Sequence, residues 1–125
     1  MTSNVSGQFA NRKYLDIETY RKSGKGVVTP VWFAEDGGTF YTYSLAEAGK
    51  VKRIRNNPKV RIVPCDMRGK PEGTWVDAKA RILDAQGYAL AHTLLTRKYG
   101  LVKRLGDVFS KLMRRHRVAI AIDLA

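Results

Sequence analysis

The stretch VVTPVWFAEDGGTFYTYS, residues 27–44, contributes most to the choice of fold. Its two ends are rich in β-branched and aromatic residues, which favour strands, and Asp36-Gly37-Gly38 between them is typical of a hairpin turn. We therefore predict a strand over residues 27–33 and a returning strand over residues 39–43. Pro30 has no N–H to donate to a neighbouring strand, so the first of these strands needs an edge position or a bulge.

Further strands on either side of this hairpin follow from alternating or β-branched patterns. They are predicted at residues 14–21, 60–65, 74–83 and 118–124. Two segments with apolar residues at helical spacing, 87–99 and 101–112, precede the last strand and are separated by Gly100. About six strands around one connecting helix, with a helical pair before the last strand, predict a mainly β protein. A closed or split antiparallel barrel would remove the exposed sheet edges of such a set of hairpins.

A basic segment follows the hairpin, with six Lys or Arg residues and no acidic residue between Lys50 and Arg61. Ser44 followed three residues later by Glu47 matches a capping box. We therefore predict a helix that begins at Ser44 and ends at Asn57-Pro58.

The helical phase separates the cations of this segment into two groups. At about 100° per residue, Lys50 and Arg53 share a face with Gly49, whereas Lys52 and Arg55 flank the apolar stripe. One interpretation is an amphipathic helix with a solvated basic face. The other is a phosphate site, because a helix N-terminus presents free N–H groups and Gly49 permits close approach of the backbone. The spacing alone supports the two interpretations equally.

The composition limits the class of protein. A chain of 125 residues is expected to form one domain, residues 1–125, and its apolar content of 44% allows a small core. The single cysteine, Cys65, excludes an internal disulfide and a multi-cysteine metal site, and fits a cytoplasmic protein. No apolar run is long enough to cross a membrane, and the N-terminus has no signal-peptide pattern. We expect no membrane partner.

The formal net charge of +12 favours an anionic partner. Nucleic acid is the less favoured one, because the basic residues are spread over several segments and no zinc finger, RNP motif or helix-turn-helix is recognisable. A phosphate-bearing or polyanionic small molecule is the alternative.

Candidates for acid–base or nucleophilic catalysis are few. His92 and His116 lie in predicted helical stretches without metal-ligand spacing, and Cys65 is more typical of a buried small residue than of a nucleophile. We assign no catalytic residue and no metal ligand. If the protein is an enzyme, a bound cofactor is expected to carry the chemistry.

Several segments, in the order in which they occur, resemble one known group of proteins. They are VVTPVWFAEDGGTFYTYS, GKVKRIRNNPKVRIVPCDMRGKPEG and WVDAKARIL, all within residues 14–85. With them the chain resembles the small PPOX-class coenzyme F420-dependent oxidoreductases of the pyridoxamine 5′-phosphate oxidase-like superfamily. The resemblance implies an antiparallel split β-barrel of the FMN-binding type, assembled as a homodimer with cofactor sites at the subunit interface.

The resemblance also implies which residues contact the cofactor. Its phosphate would be bound after the third strand and in the following helix, by Thr42, Ser44, Gly49, Lys50 and Arg53, with Lys52 nearby. Its ring system would be lined by Thr29, Pro30, Val31 and Trp32. The second subunit would contribute Trp75 and Val76.

The function that the resemblance implies is hydride transfer between the bound cofactor and a small acceptor. Coenzyme F420 is expected ahead of FMN, because its phosphodiester and oligoglutamate tail suit a chain with a formal charge of +12. Candidates for contacts along that tail are Arg55, Lys59, Arg97 and Lys98. The alternative is a flavin-, F420- or haem (tetrapyrrole)-binding protein without turnover, and nucleic-acid binding is less favoured.

Overall fold

Antiparallel strands dominate the computed structural model. The structure describes residues 7–112 and 116–125, and for residues 101–112 it describes the backbone only. Seven strands lie in the described ranges: β1 (Tyr14–Tyr20), β2 (Gly26–Trp32), β3 (Ala34–Asp36), β4 (Thr39–Leu45), β5 (Lys59–Cys65), β6 (Val76–Ile82) and β7 (Arg117–Leu124). Two helices join them: α1 (Gly49–Asn56) lies between β4 and β5, and α2 (Ala85–Leu112) lies between β6 and β7. No helix in these ranges is long and apolar enough to cross a membrane.

The order of the strands forces the sheet to curl. All seven belong to one sheet in the order β2-β1-β5-β6-β7-β4-β3, so β2 and β3 are its two outer strands. Yet β2 ends at Trp32 and β3 begins at Ala34, so Phe33 alone connects the two edges. The edges must therefore meet at this residue, and β2 does approach β4 from the far end of the order. Because β2 and β3 do not pair with each other, the barrel stays split at this point.

The bend at Phe33 is fixed by two consecutive residues of α2. The Phe33 N–H donates to the Tyr99 hydroxyl at 2.9 Å, and its carbonyl oxygen accepts from Lys98 Nζ and from Tyr99 Oη, both at 2.7 Å. The same hydroxyl lies 2.6 Å from the Lys13 carbonyl oxygen, so two acceptors share its proton. The Tyr99 ring also stacks on Trp32 with centroids 4.7 Å apart. A backbone that leaves the sheet at this bend thus has its polar groups satisfied.

The interior of the barrel is apolar and is closed differently at its two ends. Val51 and Ile54 of α1 are buried at the end where β1 and β4 finish. Phe9 lies at the opposite end, in contact with the rings of Phe33 and Phe40. The centre consists of side chains from the inner faces of the strands, including Leu15, Ile17, Val60, Ile62, Ala78, Ala80, Ile120 and Ile122.

Most predicted strands are confirmed, and Pro30 lies in the edge strand β2 as its missing N–H requires. The helical pair is also confirmed, since Gly100 interrupts α2 with a φ of 58°. The predicted pairing of residues 27–33 with residues 39–43 is wrong. Strand β2 pairs along its whole length with β1 instead, and the turn at residues 37–38 connects β3 to β4.

The predicted helix start at Ser44 is also wrong. Ser44 belongs to β4 and lies opposite Val118 of β7, and the Ala46 N–H donates to the His116 carbonyl oxygen. Helix α1 begins at Gly49, and its N-cap residue, Ala48, makes no side-chain cap hydrogen bond. Pairing with β7 therefore takes precedence over the local capping motif.

The bend at Phe33 predicts a specific loss of stability. Removal of the Tyr99 hydroxyl in Tyr99→Phe leaves the Phe33 N–H without its partner, which costs about 1–3 kcal/mol for a buried group. Tyr41→Phe is the matched control, because the Tyr41 hydroxyl has no hydrogen-bond partner among the described residues. Urea unfolding followed by fluorescence should show a loss for Tyr99→Phe alone. Equal midpoints for both variants would mean that the bend does not depend on Tyr99.

Candidate anion and cofactor site

Two cations of α1 lie on the side of the helix that faces β1. The Arg53 guanidinium folds back over Gly49, so a Cβ atom at that glycine would lie only 2.6 Å from Arg53 Nη1. Arg53 Nε donates to the Thr19 hydroxyl of β1 at 2.7 Å. Gly49 thus provides the space that lets the arginine side chain lie along the helix and reach the sheet.

Lys50 is the second cation of this group, and it is partly buried. Burial, and then the neighbouring charge of Arg53, lowers the pKa of Lys50. The pKa of Arg53 is lowered by burial and then by the charge of Arg21. Among the described side chains, no carboxylate forms an ion pair with Lys50 or Arg53. Neighbouring, partly desolvated cations without a counter-charge favour the binding of an anion.

Two hydroxyls of β4 lie on the buried face of that strand. Thr42 and Ser44 are almost fully buried. Each hydroxyl contacts only the carbonyl oxygen of the next residue, at 3.5 and 3.2 Å, which is near or at the limit for a hydrogen bond. Of the residues predicted to bind phosphate, Arg53 contacts β1 through Thr19, and Lys50 lies near Arg53. The hydroxyls of Thr42 and Ser44 form no hydrogen bond to either cation in the described part of the chain.

The predicted ring-binding residues all lie on β2. Val31 is packed into the core, Thr29 and Trp32 are partly buried, and Pro30 is exposed. Because β2 is an edge strand, part of its backbone N–H and C=O groups has no partner in the sheet. The stacking of Trp32 on Tyr99 and the burial of Val31 hold this edge in place.

The register of β1 and β2 relates these two groups of residues. Thr19, the partner of Arg53, lies opposite Val27, and Trp32 lies opposite Tyr14. The five steps from Val27 to Trp32 span about 17 Å along the strand. An elongated ligand could therefore place an anionic end at α1 and a flat, hydrogen-bonding end along the edge of β2.

Three of the residues predicted to contact the cofactor lie outside the path from α1 along β2. Lys52 is exposed on α1, although the helical phase placed it beside the apolar stripe. The ring of Trp75 lies under the Arg61 guanidinium at 5.0 Å, and Arg61 Nε donates to Glu18 at 2.8 Å. Val76 packs against the core cluster. The roles proposed for Trp75 and Val76 depend on a second subunit and stay predictions.

Thr19 was missed by the sequence reasoning. Its signal lies in the alternation of β1, which places this threonine on the same face as Leu15 and Ile17. A fully buried hydroxyl at a core position needs a partner, and Arg53 is that partner.

A buried carboxyl group on the other face of β1 was also missed. Asp16 is fully buried, and neither of its carboxyl oxygens accepts a hydrogen bond from an N–H or O–H group. Burial raises its pKa, and the thiol of Cys65 lies beside it. Burial raises the pKa of Cys65 to about 12, so this residue is a buried thiol, as predicted, and not a nucleophile.

Asp16 predicts an unusual dependence of stability on pH. Its pKa lies above the unfolded value of 3.8, so the folded chain retains this proton longer. The contribution of Asp16 to the free energy of unfolding is therefore fully present below pH 3.8 and is lost as pH rises through the raised pKa. Asp16→Asn removes that loss, so its stability relative to the wild type should increase between pH 4 and pH 7.

The matched control for this prediction is Asp66→Asn. Backbone N–H groups, first that of Lys70, lower the pKa of Asp66, so its contribution is present above pH 3.8 and is lost as pH falls. Urea unfolding at several pH values should therefore give opposite trends for the two variants. A relative stability of Asp16→Asn that does not change with pH would contradict the assignment.

The sheet thus forms a split barrel, with Lys50 and Arg53 at one end and the edge strand β2 beside them. The family model of pyridoxamine 5′-phosphate oxidase matches residues 2–123. The chain therefore belongs to the pyridoxamine 5′-phosphate oxidase family. No curated protein matches it.

Solved structures share this fold at low sequence identity. The haem storage protein HutZ of Vibrio cholerae has a TM-score of 0.73 at 15% identity, over 98% of this chain and 88% of its own. An FAD-binding protein of Mesorhizobium loti has a TM-score of 0.70 at 14% identity, over 99% and 87%. An F420 reductase has a TM-score of 0.61 at 19% identity, over 96% and 92%. These similarities establish the split-barrel fold.

Proposed function

We propose that this protein is a flavin- or deazaflavin-dependent oxidoreductase that transfers a hydride between its cofactor and a small acceptor. The observation that carries the proposal is the pair of cations Lys50 and Arg53, at one end of the edge strand β2. No carboxylate among the described side chains forms an ion pair with either of them. The family to which the chain belongs includes oxidoreductases, which supports the same assignment.

The residues present suit the phosphate end of such a cofactor. A guanidinium, an ammonium and a hydroxyl, those of Arg53, Lys50 and Thr19, are typical phosphate ligands. Arg53 is already oriented by Thr19 and needs little rearrangement to bind. Thr42 and Ser44 have hydroxyl protons that a phosphate oxygen could accept.

The edge of β2 would hold the ring system. When bound, the cofactor supplies the hydride chemistry, and the chain has to orient it and exclude water. The free backbone groups of residues 29–32 provide donors and acceptors for the polar rim of a flavin-type ring. Because Val31 is anchored in the core and Trp32 is stacked on Tyr99, this edge is preorganised.

The choice between cofactors rests on charge. A phosphodiester with an anionic tail, as in coenzyme F420, would use more cations than the two at α1, and the formal charge of +12 provides them. Arg55 and Lys59 are exposed near α1 and remain candidates for the tail. Lys98 is removed from that set, because it is bound to the Phe33 carbonyl oxygen at the other end of the barrel. FMN is the alternative cofactor.

A homodimer completes the proposal. Val28 on β2 and Met67 in the loop after β5 are exposed apolar residues that a second copy of the chain could cover. Such a copy would bury them and bring its Trp75 and Val76 toward the cofactor.

The role of Lys50 predicts a loss of cofactor affinity on substitution. Lys50→Ala removes a charged hydrogen-bond donor to the phosphate, which corresponds to about 1.5–3 kcal/mol, or a ten- to 150-fold weaker Kd. Lys52→Ala is the matched control, because Lys52 is exposed on the same helix. Separate fluorescence titrations with F420 and FMN measure both variants. Equal affinities for the two variants would remove Lys50 from the site.

Turnover separates the enzyme from a protein that only binds its cofactor. The loaded protein should oxidise reduced F420 or reduced FMN in the presence of a small electron acceptor, with a rate that depends on protein concentration. Tight binding of F420, FMN or haem without any such rate would favour the binding-only function.

A further inference from the structure

A cavity lies at the end of the barrel opposite α1. Its volume is about 410 Å³, and its walls include the rings of Phe9, Phe33 and Phe40. These rings contact one another with centroids 4.9 to 6.0 Å apart, and all three are largely buried, so only their edges border the cavity. Pockets of roughly 300–1,000 Å³ with such walls are typical sites for small organic ligands.

Lys98 supplies the positive charge of this cavity. Its Nζ lies 3.7 Å from the centroid of the Phe33 ring and donates one hydrogen bond, at 2.7 Å, to the Phe33 carbonyl oxygen. Two N–H bonds of the ammonium are left for a ligand. Among the described side chains, no carboxylate forms an ion pair with Lys98.

The acidic residue of the same wall does not neutralise this ammonium. Glu35 lines the cavity, but its Oε2 accepts a hydrogen bond from the Gly38 N–H at 2.7 Å within the β3–β4 turn. Partial desolvation of the ammonium, which lies against the Phe33 ring, lowers the pKa of Lys98 to about 8, although part of this residue is exposed to solvent. An anion placed beside Lys98 would therefore gain a charge-assisted hydrogen bond next to an apolar wall.

We propose that this cavity is a second ligand site, which binds a small monocarboxylate with an aromatic or branched apolar body. The carboxylate pairs with Lys98, and the apolar body packs against Phe9 and Phe40. The cavity lies next to the end of β2, where the ring system is proposed, because Phe33 follows Trp32. It is separate from the proposed phosphate site, because Phe40 lies at the start of β4 whereas α1 follows the end of that strand.

The affinity of the proposed site for a carboxylate should fall as pH rises. The carboxylate binds only the protonated ammonium, so bound ligand raises the pKa of Lys98 from about 8. Above that pH the affinity should fall, by up to about tenfold per pH unit. Below it the affinity should be constant until the ligand itself is protonated.

The test uses the full chain with phenylacetate as probe and its neutral analogue phenylacetamide as control. Binding is followed by two-dimensional NMR between pH 6.5 and pH 9.5. At pH 6.5 phenylacetate should bind at least tenfold more tightly than phenylacetamide, and its affinity should fall above pH 8. Equal affinities for the acid and the amide, or no binding at millimolar concentrations, would overturn the proposal.

Three variants locate the probe. Lys98→Met should abolish the difference between acid and amide, and Lys25→Met, at an exposed turn lysine, should leave it unchanged. Ala10→Trp fills the cavity from an exposed position of its wall and keeps the ammonium, so it should also abolish binding.

If Lys98→Met fails to fold, Ala10→Trp and the pH dependence of wild-type binding test whether the probe binds in this cavity. Binding that is lost in Lys50→Ala but kept in Ala10→Trp would place the probe at α1 and overturn the proposal.

Discussion

The single-residue connection at Phe33 is the constraint on which the rest of the structure depends. Strands β2 and β3 are the two edges of one seven-stranded sheet, and one residue joins them. The sheet has to curl until its edges meet, and the backbone at the bend leaves the ladder of sheet hydrogen bonds. Lys98 and Tyr99 of α2 satisfy the backbone polar groups of Phe33. The connection at Phe33 therefore determines both the position of α2 and the presence of an unpaired edge on β2.

Each end of the barrel carries positive charge that no described carboxylate pairs with, for different reasons at the two ends. At α1, Lys50 and Arg53 are close to each other, and a glycine provides the space for the arginine. At the Phe33 bend, Lys98 is held by a carbonyl oxygen and an aromatic face, neither of which neutralises its charge. Partly desolvated cations of this kind reduce the stability of the free protein, and a bound anion restores it. Both proposed ligands are anionic for this reason.

Much of the fold could be predicted from the sequence because its signals are local. Alternation predicted most of the strands, Pro30 predicted an edge, Gly100 predicted the break in α2, and the helical phase separated Lys50 from Lys52. The errors lie where distant contacts compete with local motifs. Ser44 matches a capping box, yet its strand continues because β7 supplies a partner some 70 residues later. The predicted pairing of residues 27–33 with residues 39–43 is wrong because the chain bends at Phe33, so β2 pairs with β1 and the short strand β3 pairs with β4.

The candidate site was predictable only in part. The residue types and spacing on α1 indicate an anion site, and the contact between Arg53 and Thr19 supports it. Thr19, Asp16 and the aromatic cavity beside Lys98 require the tertiary structure, because each depends on residues that are far apart in the chain. The contributions of Trp75 and Val76 stay predictions, because they require a second subunit.

The most direct test of the central claim is the pKa of the Lys50 ammonium, measured by NMR with and without saturating cofactor. In the free protein we predict a pKa below the ordinary lysine value, because of burial and the nearby Arg53 charge. Binding of F420 or FMN should raise this pKa, because a phosphate supplies the missing counter-charge. A pKa that stays the same when either cofactor binds would show that the anionic end does not lie at α1.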